Sequence, residues 1–128
     1  MAGTIAADTL THSTAGSLTT DFVVNGSAKH WANVDQEGTM STLDSFNQSS
    51  ISDLGTGRTQ CNINNNMNND DYCVNVGFGR DQTNYFDRVA LIYTPNSQTG
   101  QFEIWAGHSG FDYNDQSGVF PTVHGDLA

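Results

Sequence analysis

From residue 29 onward, short runs of alternating apolar and polar residues recur, separated by Gly, Asn, Asp, Ser and Pro. A period of two marks a half-buried strand, because successive side chains point to opposite faces. The strictest case is 101–106, which sets Phe102 and Ile104 on one side. Residues 88–93 have the strongest β-propensity, and Pro95-Asn96-Ser97 turns them. Further strands are predicted over 29–34, with Trp31 toward a core, and over 50–54, 58–63, 71–78 and 118–123. The stretch 38–46 alternates at Met40, Thr42 and Asp44 against Leu43 and Ser45, so its register stays open. Pro121 has no backbone donor and marks the last strand as an edge or a bulged one. The asparagine-rich loop at 62–71 reads as a displayed tip or as a long hairpin turn.

Strands of about six residues with turn signals between them predict an all-β fold, an antiparallel β-sandwich, jelly-roll-like or similar. Trp31, Phe46, Ile51, Val74, Leu91 and Phe102 are its expected core. Residues 1–28 differ, being poor in large apolar side chains and rich in Thr, Ser, Ala and Gly. Only Asp21-Phe22-Val23-Val24 breaks this, followed by an Asn25-Gly26 turn signal. The expected division is an extended N-terminal arm, 1–28, and a sandwich domain, 29–128. The arm reads as an attachment segment, with Ile5, Asp8, Leu10, Phe22 and Val23 as its contacts, or as a disordered tail.

Composition supports strands over helices. Hydrophobic residues make up 36% of the 128 and charged residues only 14%, so Ser, Thr, Asn, Gln and 13 Gly fill the remainder. Ser, Thr, Asn and Asp compete with the helical backbone for hydrogen bonds, and Lys is nearly absent. A net charge of −10 excludes binding to nucleic acid through phosphates and argues against anionic lipid. Partners should be neutral or basic surfaces, or glycans; acidity can also serve only to keep the chain soluble. No apolar run approaches a membrane span, and no basic segment followed by an apolar run opens the chain. The expectation is synthesis without a secretory address and release by a route such as lysis.

Chemistry-bearing groups are sparse. Gly107-His108-Ser109-Gly110 near Asp112 and Asp115 collects a nucleophile, a base and carboxylates, but lacks the Gly-x-Ser-x-Gly elbow and reads as a polar loop with no catalytic residue. The four histidines never fall at metal spacing. Residues 112–118 lack the closing Glu of a calcium loop, and no cofactor is expected; calcium on Asp70-Asp71 with loop carbonyls is the minor alternative. Cys61 and Cys73 could pair across neighbouring strands or sit as two small buried residues. Strand parity, with Cys73 opposite to Val74 and Val76, weakens the disulfide unless a bulge intervenes. Trp105, His108, Phe111, Asp112, Tyr113 and Asn114 interleave aromatic and polar groups, as sugar-binding or adaptable contact loops do. The plain alternative makes Trp105 core and the others a plug at the sandwich end.

Two stretches resemble a known group. Ala28-Lys29-His30-Trp31-Ala32-Asn33 is similar to an Ala-Lys-Ala-Trp-Val-Asn-Phe opening. Residues 44–57, Asp-Ser-Phe-Asn-Gln-Ser-Ser-Ile-Ser-Asp-Leu-Gly-Thr-Gly, resemble its Ser-Phe-Asn-x-Ser-Ser-Ile-x-Asp-x-Gly-Thr-Gly motif. Both belong to the small virion β-domain of tailed phages, marine ones among them, often described as tail-fibre-like. The opening 3–10 and the closing His124-Gly125-Asp126-Leu127-Ala128 are similar to its termini; 107–117 have no counterpart. The resemblance implies a non-enzymatic virion structural protein. Expected partners are other virion proteins, sister chains in a homotrimer, and a host surface glycan. A capsid decoration and a free-standing carbohydrate-binding module are the alternatives. It carries over no catalytic residue and no receptor.

Overall fold

A computed structural model of the chain describes residues 3, 6–79, 88–108 and 112–128. Among the described residues, ten strands and one short helix form in the order β1 (Thr9–His12), β2 (Gly16–Thr19), α1 (Thr20–Gly26), β3 (His30–Asp35), β4 (Ser41–Phe46), β5 (Gln48–Asp53), β6 (Arg58–Ile63), β7 (Cys73–Phe78), β8 (Arg88–Ile92), β9 (Gln101–His108) and β10 (Val119–His124). Two four-stranded antiparallel sheets, β4-β3-β10-β7 and β5-β6-β9-β8, make a β-sandwich; β1-β2 is a separate hairpin. A single 3₁₀ turn, Thr94–Asn96, with Pro95 in its first turn, follows β8.

The inner faces follow from alternation. In β3, His30, Ala32 and Val34 are buried while Trp31 is exposed; in β6, Thr59, Cys61 and Ile63 are buried. Phe102 and Ile104 of β9 and Val119 and Val123 of β10 complete the core. Phe102 sits at its centre, edge-on to His30 at 5.2 Å and to Tyr72 at 6.4 Å between ring centroids.

Three expected core residues lie outside instead. Trp31, Phe46 and Leu91 are 39%, 53% and 52% exposed, each on an outward-facing position of its strand. Parity decides this: an inward Trp31 would turn His30, Ala32 and Val34 to solvent. Ile51 and Val74 are half-buried against the core. The doubtful register of β4 resolves at a bulge. Asn33 pairs Asp44 and Val34 pairs Thr42, so Leu43 is the extra residue and stays exposed with Asp44.

Pro121 does not mark an edge. Its strand β10 is interior, paired with β7 along its whole length and with β3 at Val119, Thr122 and Val123. The ladder toward β3 skips Phe120 and Pro121, which is how an interior strand accommodates a missing donor.

The 44–57 motif is explained by folding. Asn47 alone separates β4 from β5, turning the chain from one sheet into the other at φ 57°, a left-handed conformation Asn tolerates. Its side chain donates to the Lys29 and Asn65 carbonyls at 2.9 and 3.1 Å and accepts from the Asn65 backbone N–H at 2.7 Å. Asp53 accepts from the Gly55 N–H at 2.8 Å and shapes the β5–β6 turn. Gly57, at φ +68°, packs so closely that a Cβ there would meet the Ala106 carbonyl and lie 2.8 Å from the Asn114 nitrogen.

The asparagine-rich loop is not a hairpin turn, because β6 and β7 belong to different sheets. It crosses between them and drops Met67 into the core, 1% exposed. A backbone bond from Met67 to Thr99 ties it to the turn before β9, and those from Asn68 to Asp126 and from Ala128 to Asn66 tie it to the C-terminal residues. Cys61 and Cys73 are both free: Cys61 faces the core from β6, whereas Cys73 takes an exposed position of β7, so the two thiols point to different faces.

The N-terminal segment is not extended in its described part. A hairpin and a seven-residue helix form over 9–26, and Ile5 lies outside the described residues. Sequence periodicity missed the helix because Phe22-Val23-Val24 is a contiguous run, without helical spacing.

Candidate functional site

The two sheets present unlike outer faces. That of β4-β3-β10-β7 carries Leu43, Phe46, Trp31 and Phe120, between 38% and 61% exposed. Trp31 pairs Phe46 on one side and Thr122 on the other. An open, mainly apolar groove runs from Phe46 past Leu127 and Lys29 to Val23 and Val24 of α1. The Lys29 ammonium bonds the Val24 carbonyl and thereby fastens the end of the helix to the start of β3. Phe22, 68% exposed, and Leu10 and Leu18 of the hairpin are further uncovered apolar side chains; none of the helix residues is buried. A two-stranded hairpin and a helix of two turns are each marginal alone in water. Asp8, an expected arm contact, accepts from the Thr20 N–H through its carbonyl at 3.0 Å and closes the hairpin onto the helix.

The other outer face, of β5-β6-β9-β8, is polar and aromatic. Arg58 pairs Trp105, Gln60 pairs Glu103 and Asn62 pairs Gln101 across β6 and β9. Ser52 and Ser50 continue the Gln60 and Asn62 rows onto β5. Leu91 flanks Trp105 from β8.

Trp105 is half-buried at the middle of an aromatic group on this face, so it belongs neither to the core nor to a plug. Tyr93 stacks on it at 4.2 Å and 10°, and Tyr113 meets it edge-on at 5.4 Å. The Arg58 guanidinium lies 5.2 Å from the indole ring centroid. Glu103, only 1% exposed, organises the group. It accepts from Arg58 at 2.7 Å and from the Trp105 indole N–H and the Asn96 amide. Burial alone would raise its pKa; the bonds from Asn96, Arg58 and Trp105 and the Arg58 charge outweigh this and hold the carboxyl below the usual carboxylate range.

Of the residues singled out near the C-terminus, Trp105, Tyr113 and Asn114 come together here. Tyr113 bridges Gly107, and the Asn114 N–H donates to Ala106 at 3.1 Å, folding the loop back on β9. Asp112 is exposed in the same loop. The His108 side chain and Phe111 lie outside the described residues. Sequence reasoning missed Arg58, Gln60, Asn62, Tyr93 and Gln101. Alternation held the signal: if Phe102 and Ile104 face inward, Gln101, Glu103 and Trp105 face outward together.

Among the described residues, no three His, Cys, Asp or Glu side chains gather as metal ligands would. No helix there is long and apolar enough to cross a membrane. Comparison with known protein families, curated proteins and solved structures finds no match for the chain.

Proposed function

We propose that the chain is a structural component of a bacteriophage particle, a tail-fibre-like adhesion module without catalytic activity or cofactor. Its N-terminal segment attaches it to sister chains in a homotrimer and to other virion proteins, and the sandwich projects outward. One observation carries this reading: residues 9–26 fold, yet leave Leu10, Leu18, Phe22, Val23 and Val24 exposed, with Val23 and Val24 sharing an apolar groove with Phe46 of the first sheet. Marginal elements with uncovered apolar side chains fit an assembled state that covers them. Three copies on one axis would let weak contacts to a host surface act together. The likeness of residues 28–33 and 44–57 to the tailed-phage virion domain supports the same reading.

The test is protein identification in purified particles, with antibody-gold microscopy of their surface. The reading expects the chain in particles at a multiple of three copies, with gold on the tail. Gold on the head would favour the capsid-decorating alternative. A chain found only in the soluble lysate would refute particle membership and favour a free-standing module.

A further inference from the structure

We propose that the outer face of β5-β6-β9-β8 is a carbohydrate-binding surface for a neutral glycan, with Leu91, Tyr93, Trp105 and Tyr113 as its apolar strip and Gln60, Asn62 and Gln101 as its polar strip. This names the outward partner of the adhesion reading and borrows only its biological setting from it.

A sugar is amphipathic: its C–H face packs on aromatic rings while its hydroxyls need donors and acceptors at the same time. The face offers both side by side. On β8, β9 and the loop before β10, Leu91 and Tyr113 are 52% and 48% exposed, with Tyr93 and Trp105 half-buried between them. On the next two strands, Gln60 and Asn62 of β6 and Ser50 and Ser52 of β5 form a grid, with the strands about 4.8 Å apart. Part of it is already ordered: Gln60 donates to Asn62 at 2.8 Å, and Asn62 donates to Ser50 at 3.0 Å. The Ser52 hydroxyl and the Gln101 amide make no side-chain hydrogen bond among the described residues, which leaves them for a ligand.

Charge selects the ligand class. Arg58 and Glu103, the ionised side chains of the paired β6 and β9 rows, are bound to each other at 2.7 Å, and exposed Asp112 beside Tyr113 adds only negative charge. The face therefore presents amides, hydroxyls and rings to a polyol, and little to a phosphate or a carboxylate. Glu103 and Arg58 act as positioning residues: they fix the Trp105 ring on the strand, so that ring order is established before a ligand arrives. The opposite sandwich face also pairs Trp31 with Phe46, but no ion pair or stacked ring is seen to fix that indole among the described residues.

The experiment uses the full chain and three neutral probes, cellohexaose, chitohexaose and maltohexaose. Binding is read by calorimetry and by indole fluorescence in a Trp31→Phe background, so that Trp105 alone reports. The proposal expects at least one probe to bind with a Kd on the order of 1 mM or tighter and to change the Trp105 emission. Tyr113→Ala and Gln60→Ala, both at exposed or half-exposed positions, should each weaken that binding about tenfold. Phe46→Ser, on the other outer face, should leave it unchanged. Circular dichroism verifies that all variants are folded. No binding by any probe, or binding that both variants retain in full, overturns the proposal. Loss in Phe46→Ser alone also overturns it, because it moves the site to the other sheet. None of these outcomes depends on particle membership.

Discussion

Arg58 and Glu103 form an ion pair at 2.7 Å across β6 and β9, with the carboxylate 1% exposed and the guanidinium about one third exposed. Three donors converge on that one carboxylate, from Arg58, Asn96 and Trp105. Glu103→Gln would put an amide N–H₂ where an acceptor is required and leave a donor unpaired. The expected loss is about 2–3 kcal/mol of unfolding free energy. Near-UV circular dichroism should lose the Trp105–Tyr93 signature while far-UV dichroism stays sandwich-like. Denaturant titration with both readouts checks it.

Acidification should destabilise the fold in two stages. Burial of His30, only partly offset by its bond with Gln48, lowers its pKa, so the folded state favours the neutral ring. The unfolded ring protonates first, and stability falls as pH drops below about 6.5 toward the depressed folded value. Glu103 has a depressed pKa as well; its contribution is intact above the unfolded carboxylate value near 4.3 and is lost as pH falls through the folded value. Melting temperature against pH should show both declines. His30→Leu should flatten the upper one, and Glu103→Gln the lower.

Two left-handed glycines should respond differently to the same change. Gly38, at φ +64°, faces open space, and Gly38→Asn should be close to neutral. Gly57→Asn takes a similar φ but drives a Cβ into the Ala106 carbonyl and the Asn114 nitrogen. It should cost at least about 2 kcal/mol, since both neighbours are backbone. Paired thermal melts check it.

Asn47→Ala should remove the hydrogen bonds that hold the sheet-to-sheet corner and place alanine in the left-handed region. The expected cost is about 2–4 kcal/mol. Asn47→Gly should recover only the conformational part, which equilibrium unfolding can separate.

The two thiols should behave unlike each other. Burial pushes the Cys61 thiol up to about 12, and Cys73 is exposed. Iodoacetamide should label Cys73 at once and Cys61 only on unfolding. Mass spectrometry under native conditions should therefore find a single adduct.

Much of the fold was legible because alternation is a strong local signal: β6, β9 and the inward set Phe102 and Ile104 follow from it directly. Trp31, Phe46 and Leu91 were misassigned where size was allowed to outweigh parity. The interior place of Pro121 was not legible, because strand order depends on pairing partners that are distant in sequence. The same limit hid the crossover at 62–71. The aromatic cluster was half legible: Trp105, Tyr113 and Asn114 are close in sequence, whereas Arg58, Gln60 and Tyr93 reach it only through pairing in the sheet. The 44–57 motif read as a family signature, and its residues prove to build a corner and a turn.

The central claim is that the exposed apolar surface of residues 9–26 is an assembly surface, and light scattering of the purified chain tests it most directly. The account predicts a trimer, about three times the 13.8 kDa chain mass, and, for Phe22→Ser combined with Val24→Ser, a monomer that keeps its sandwich far-UV dichroism and melts below the trimer. A wild-type chain that stays at 13.8 kDa at concentrations on the order of 100 μM would contradict it.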